Sequence, residues 1–219
     1  MKMKKSMIVL ISFLGLAPLL LVAAVYSRLP DTIPMSWGLN GQVRYDPKIN
    51  IWFMASLSPF LALLFPFMAK IDPRRRNYEK FGGAYQAFMA IMLLFLLMMN
   101  GIVISESFYP GRISVYTVVM LGVGLLFVFI GNIMPKVKSN FYIGARTPWT
   151  LSDTDVWYKT NRLSGYMFFV SGLILCLMPF MLPENIAFIV LLAIALVNAI
   201  VPTVMSYIWY RKNHPNDEE

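Results

Sequence analysis

The sequence predicts an all-α integral membrane protein of six transmembrane helices, with both termini on the inner side. Three observations carry this expectation. Of the 219 residues, 58% are hydrophobic and 14% charged, with a mean hydropathy of +0.63, more apolar surface than a soluble domain of this length can hide. Apolar runs near 6–27, 52–69, 84–104, 113–134, 165–182 and 186–209 match the roughly 20 helical residues needed to cross about 30 Å of hydrocarbon. The intervening segments divide the basic residues unequally. The N-terminus, 70–83, 135–164 and 210–219 hold 15 of the 19 Lys and Arg, leaving Arg28, Arg44, Lys48 and Arg112 for the other side. The positive-inside rule places the richer set in the cytoplasm. The net charge of +8 thus reflects topology, and direct binding to nucleic acid loses its support.

The first run is too long for a signal-peptide core, and no small-residue cleavage site precedes Arg28-Leu29-Pro30, so it reads as a retained helix. A compact outer loop follows over 28–51. Pro30, Pro34 and Pro47 stiffen it, and Asn40-Gly41 favours a tight reversal between short strands at 35–37 and 43–45. Trp37, Tyr45 and Trp52 suit the membrane–water interface. An aromatic belt explains them, and so does a rigid outward surface whose candidate contacts are Trp37, Gly41, Arg44 and Tyr45. The second run carries Pro59 and Pro66, which predict a kink. After it, Asp72-Pro73 reads as a helix start. Arg74, Arg75 and Arg76 form an inner basic patch that anionic lipid attracts by about 1 kcal/mol per residue. A docking site for an acidic cytoplasmic partner is the other reading of that patch.

The longest polar interruption is 140–165, inside a structured inner loop over 135–164. Gly144 permits backbone conformations closed to other residues, and Thr147-Pro148 biases the chain to an extended turn. Ser152 and Asp155 have the spacing of a capping box, and Asp155 precedes Lys159 by one helical turn. Arg146, Trp149, Asp153, Asp155, Trp157, Lys159 and Arg162 form the most organised polar group in the chain. Two readings coexist. One is a structural plug, with Trp149 and Trp157 at the inner interface and Arg146 tied to an Asp or a helix C-terminus. The other is a recognition surface, since Arg favours planar bidentate contacts with carboxylate or phosphate.

The last two runs are joined only by 182–185, a tight helical hairpin, and His214 is expected to be solvated in the tail. Cys176 lies in an apolar run and reads as a small packing residue. The whole chain, 1–219, reads as one membrane domain.

Catalytic constellations are thin. One tail histidine and one cysteine supply no zinc site and no Ser-His-Asp triad, so no metal, cofactor or enzymatic activity is expected. None of the eleven Asp and Glu residues falls inside a predicted span, which disfavours a proton- or ion-coupled carrier. Ser58, Asn100, Thr117, Asn132, Ser171 and Asn198 read as interhelical glue, and Gly122, Gly124, Gly131, Gly165 and Gly172 as close-packing positions.

The stretch IGARTPWTLSDTDVWYKTNRLSG closely resembles the signature of the sporulation-delaying-protein immunity family. LPDTIPMSWGLNGQVRYDPK and IDPRRRNYEKF extend the likeness over nearly the whole chain. The resemblance implies a six-helix bacterial membrane protein that neutralises a secreted peptide toxin at its outer face. It also implies a cytoplasmic transcriptional repressor as a partner at the inner face. Carried over, the inner motif falls on Ile143, Gly144, Arg146, Thr147, Pro148, Trp149, Thr150, Leu151, Ser152, Val156, Trp157, Lys159 and Thr160. The outer motif falls on Leu29, Pro30, Trp37, Gly41 and Lys48. Departures are Ser36 and Asn161, where the family commonly has His, Gln42, where it has Glu, and Arg44-Tyr45, where Asp-Gly is frequent. An immunity or sensing protein is the favoured class, followed by a transporter of peptides or small molecules, then a membrane-embedded enzyme.

Overall fold

The computed structural model describes residues 4–38 and 42–215. The Asn40-Gly41 turn, and with it the candidate Gly41, lies outside the described residues, as do the last four residues. Six long helices dominate: α1 (Lys5–Val25), α2 (Asn50–Ile71), α3 (Tyr78–Phe108), α4 (Val115–Ile133), α6 (Thr154–Leu177) and α7 (Glu184–Asn213). All six are long and apolar enough to cross a membrane. A short α5 (Pro148–Ser152) precedes α6. Strands β1 (Thr32–Trp37) and β2 (Val43–Pro47) pair antiparallel, with Thr32 opposite Pro47 and Trp37 opposite Val43. Large apolar side chains such as Phe53, Leu63 and Phe180 point outward from the bundle, as they must when lipid is the solvent.

The helices form two groups of three. In the first, α1 packs on α2 and α3; in the second, α6 packs between α4 and α7, and α3 meets α4. Close approach follows from small residues. A Cβ on Gly15 would lie 2.8 Å from that of Ala62 on α2. Pro18 has no N–H to give the Leu14 carbonyl one turn back, and the Ser58 hydroxyl of α2 donates to that carbonyl instead, at 3.2 Å. The α4–α6 crossing is tighter. Gly131 opposes Gly165, and Gly124 opposes Gly172 and Cys176, so that a Cβ on any of these four would meet facing backbone within 3 Å. Of the predicted polar glue, Ser58 and the Asn198–Ser171 pair (2.8 Å) join helices. Asn100 and Thr117 bond within their own helix or its cap, and Asn132 accepts from Lys136 in the turn that follows α4.

Three expectations are corrected. The inner loop expected over 135–164 gives up its last third to α6, which begins at Thr154. Its first turns bury Val156, Trp157, Thr160, Asn161 and Ser164 and expose Asp155, Lys159 and Arg162. That is an amphipathic helical pattern, invisible to a search for apolar runs. Next, Glu106 lies inside α3 and is buried, although no span was expected to contain an acid. It sits in the final turn, where one carboxylate oxygen accepts from the Gly111 N–H at 2.9 Å. Finally, Asp72 does not open a helix directly. It caps the end of α2, and α3 starts only after a single 3₁₀ turn over Arg75–Asn77.

Candidate functional site

Two candidate sites stand at opposite ends of the bundle, one on the hairpin side and one on the side of α5. The second is built around the α2–α3 turn. Asp72 is buried, and one of its carboxylate oxygens accepts from the Tyr78 hydroxyl at 3.0 Å and from the Phe141 N–H at 2.9 Å. The other accepts from the Arg74 N–H at 2.6 Å. The Arg74 guanidinium donates to the Leu151 carbonyl at 2.7 Å and to the Ser139 hydroxyl, and lies over the Phe141 ring. Asn77 donates to the Ser139 carbonyl at 2.7 Å. Together these bonds clamp 139–151 to a turn more than sixty residues earlier in the chain.

Inside the clamp the segment folds on its own side chains. The Asn140 carbonyl oxygen accepts from the N–H groups of Tyr142 and Ile143, while its amide nitrogen donates to the carbonyls of Lys138 and Ile143. This is Asx-turn chemistry with a fully buried asparagine. Gly144 has φ +111°, and a Cβ there would lie 2.5 Å from Oδ1 of Asn161. Asn161 needs that space, because its Oδ1 accepts from the Ala145 N–H at 2.9 Å while its amide donates to the Trp157 carbonyl. At this position a neutral amide both accepts, through its oxygen, and donates, through its nitrogen.

The helix starts differ from the expected one. Ser152 is no N-cap; its hydroxyl donates to the Pro148 carbonyl. Thr147 and Thr150 form the capping box of α5, with Pro148 at the first helical position. Asp153 then caps α6 by accepting from the N–H groups of Asp155 and Val156. The Asp155–Lys159 pair is present at 2.6 Å. The end of α7 docks here too. Asn213 donates to Asp153 at 2.8 Å and to Asp155 at 3.2 Å, and His214 stacks on Tyr210 with Nδ1 3.8 Å from Asp153. The histidine is therefore held rather than free in the tail. Partial burial raises the Asp153 carboxyl, but the bonds from Asn213 and the two backbone N–H groups, with His214 nearby, outweigh it and hold Asp153 below its usual value.

Several candidates change role. Trp157 is not at an interface; it is fully buried in the core and donates to the Val137 carbonyl at 3.0 Å. Trp149 rests on Tyr207 of α7 at 5.1 Å between ring centroids. Arg146 is tied neither to an Asp nor to a helix end, but donates to the Phe141 carbonyl at 2.6 Å while remaining exposed. The basic patch splits, since Arg74 belongs to the clamp and Arg75 and Arg76 stay exposed. The sequence reading missed Asp72, Ser139 and Ser206 as partners. Ser206 reaches Thr147 across 2.9 Å, and no local spacing signals that contact.

On the hairpin side, Ile33 and Leu29 anchor β1 in a buried cluster with Val22, Ile51 and Val103. Lys48 fastens the returning strand to the Leu29 carbonyl and to Asp31. A cleft of about 370 Å³ opens between Trp37 and Gly38 of the hairpin and Met99, Tyr116, Glu184 and Phe188 on three helices. It is apolar except for Glu184 and Tyr116, whose hydroxyl is committed to the Leu182 carbonyl. Among the expected outward contacts, Trp37 lines this cleft. Arg44, paired with Asp46 at 3.1 Å, and Tyr45 lie exposed on β2 and do not.

Residues 136–206 match the model of the SdpI/YfhL protein family, and residues 13–58 match a domain of unknown function, DUF1648. The first match takes in the 139–151 segment with α5, then α6 and most of α7; the second takes in the latter half of α1, the hairpin and the start of α2. The chain is also 28% identical over 188 residues to the immunity protein SdpI of Bacillus subtilis (strain 168), covering 86% of this chain and 88% of that protein. The resemblance read from the motifs is thereby borne out. With the six apolar helices, these similarities identify a multi-pass bacterial membrane protein. No solved structure matches.

Proposed function

We propose that this protein protects the cell against a secreted, membrane-active peptide by binding it in the outward cleft beside Trp37. The observation that carries the reading is the coincidence of two facts. The chain is similar over most of its length to an immunity protein, and its hairpin end presents an apolar cleft with Glu184 as its acidic edge. Such a cleft suits an apolar peptide with a basic group. The 15-to-4 division of basic residues supports placing both termini inside and the hairpin outside. An impermeant thiol reagent added to intact cells is expected to label cysteines introduced at Arg112 and Asn185 but not at Arg75 and Lys212, all four exposed positions.

In this reading the clamped segment is the inward face, and Arg75 and Arg76 beside it offer charge to a cytoplasmic repressor. Helix α4 lines the cleft at Tyr116 and Met120 and joins α6, which follows directly on the clamped segment, at glycines, so a bound peptide that favours one packing of the pair would bias the other end. Immunity is tested by expressing the gene in a sensitive host and challenging it with the sporulation-delaying peptide. Survival is expected to rise, and Trp37→Ala is expected to abolish the gain at unchanged protein level. Unchanged survival with correctly inserted protein would overturn immunity, and peptide uptake into proteoliposomes would then favour transport.

A further inference from the structure

A second cavity, of about 410 Å³, lies at the α5 end of the bundle, between α3, α4, the 142–147 segment, α6 and α7. Its walls are mostly apolar, with Phe88, Ile130 and Phe168 among them, and Arg146 lines it as well. Two wall residues carry buried polar atoms with no partner, Oγ of Ser164 and Oδ1 of Asn198. The two residues are 1% and 7% exposed. The Asn198 amide is not free to turn. Its nitrogen already donates to the Ser171 hydroxyl and the Ile194 carbonyl, both at 2.8 Å, which leaves Oδ1 as a fixed, unused acceptor. An acceptor buried without a donor is costly, and a cavity of this size and lining is of the kind that holds a small ligand. Arg146 spends one N–H on the Phe141 carbonyl and forms no ion pair with any carboxylate among the described residues, so most of its fork is open to an anion.

We propose that this cavity holds the headgroup end of one amphipathic anion carrying a hydroxyl group, the chemistry of a phospholipid with a glycerol headgroup, whose chains extend beyond it. The phosphate pairs with Arg146, a hydroxyl donates to Asn198 and exchanges a hydrogen bond with Ser164, and apolar chain lies among Phe88, Ile130 and Phe168. A fatty-acid anion would meet Arg146 equally well but would leave Oδ1 of Asn198 without a donor.

The test is native mass spectrometry of the full-length protein in neutral detergent, titrated with dioleoyl phosphatidylglycerol, dioleoyl phosphatidylcholine or oleate. One phosphatidylglycerol per chain is expected to persist after the detergent is stripped, with phosphatidylcholine, which keeps the phosphate but has no hydroxyl to give Asn198, about ten-fold weaker, the equivalent of one buried acceptor left unpaired. Arg146→Gln is expected to weaken phosphatidylglycerol about ten-fold. Ser164→Ala, which removes one atom and none of the observed hydrogen bonds, should weaken it several-fold. Far-UV circular dichroism confirms that each variant keeps its helices. Equal retention of phosphatidylglycerol and phosphatidylcholine, or affinity unmoved by both substitutions, would show nonspecific annular lipid and overturn the site. Oleate competing at equal affinity would overturn the hydroxyl requirement.

Discussion

Gly131→Ala is expected to remove most of the folded protein recoverable from the membrane, although the change adds a single methyl group. The new Cβ would stand 2.5 Å from the Phe169 nitrogen and 2.6 Å from the Gly165 carbonyl oxygen. Both are backbone atoms of a helix and have no rotamer through which to retreat. Overpacking a core that can partly adjust costs about 1–3 kcal/mol; here α4 and α6 must separate as whole helices. Since Gly165, Gly172 and Gly124 lie on the same seam, the separation would spread along it. Gly101→Ala is the control. It is also a helical glycine, but its added Cβ meets nothing within 4 Å, and alanine gains about 1 kcal/mol of helix propensity. Comparing the melting of the two variants in detergent checks this, with Gly101→Ala expected at or above the parent. Equal melting temperatures would mean that the crossing is looser than described.

Asp72→Ala is expected to free the 139–151 segment while leaving the six helices inserted. Removing the carboxylate leaves the Phe141 N–H and the Arg74 N–H without acceptors, and Tyr78 keeps only its 3.2 Å bond to Asn140. A fully buried donor left unpaired costs roughly 1–3 kcal/mol, and these two partly buried ones lose less. Limited proteolysis of inverted vesicles, which present this end of the bundle in the proposed topology, should then cut near 141–147, where the parent resists. Arg75→Ala, at an exposed position outside the clamp, should change nothing. If Asp72→Ala remained as resistant as the parent, the clamp would not be what orders the motif.

These two sites were not equally legible in the sequence. The glycines of α4 and α6 were readable as close-packing positions because a glycine weakens a helix and is kept within an apolar run chiefly where a neighbour comes close. Their pairing, Gly131 on Gly165 and Gly124 on Gly172, required the crossing geometry. Asp72 was visible only as the start of a local motif, because its true partners lie at Tyr78 and Phe141 and no short-range pattern encodes the second. Asn140 opened the organised stretch, yet its burial was not foreseeable, since a polar residue in a polar loop is ordinarily solvated. The same bias placed Trp157 at an interface. It sits among charged residues in the sequence, but on α6 it shares the buried face with Asn161 and Ser164. Hydropathy found each helix where lipid surrounds it and failed where polar side chains satisfy one another inside protein.

The central claim, that a toxin peptide is bound in the cleft beside Trp37, is most directly tested by site-specific photocrosslinking in living cells. A photoreactive phenylalanine placed at Phe188 lies in the cleft wall, whereas one at Leu125 is exposed on α4 outside it. With the sporulation-delaying peptide added to protected cells, an adduct of protein plus peptide is predicted at 188 and none at 125. Adducts of equal yield at both positions, or none at 188 in cells that survive, would contradict the account.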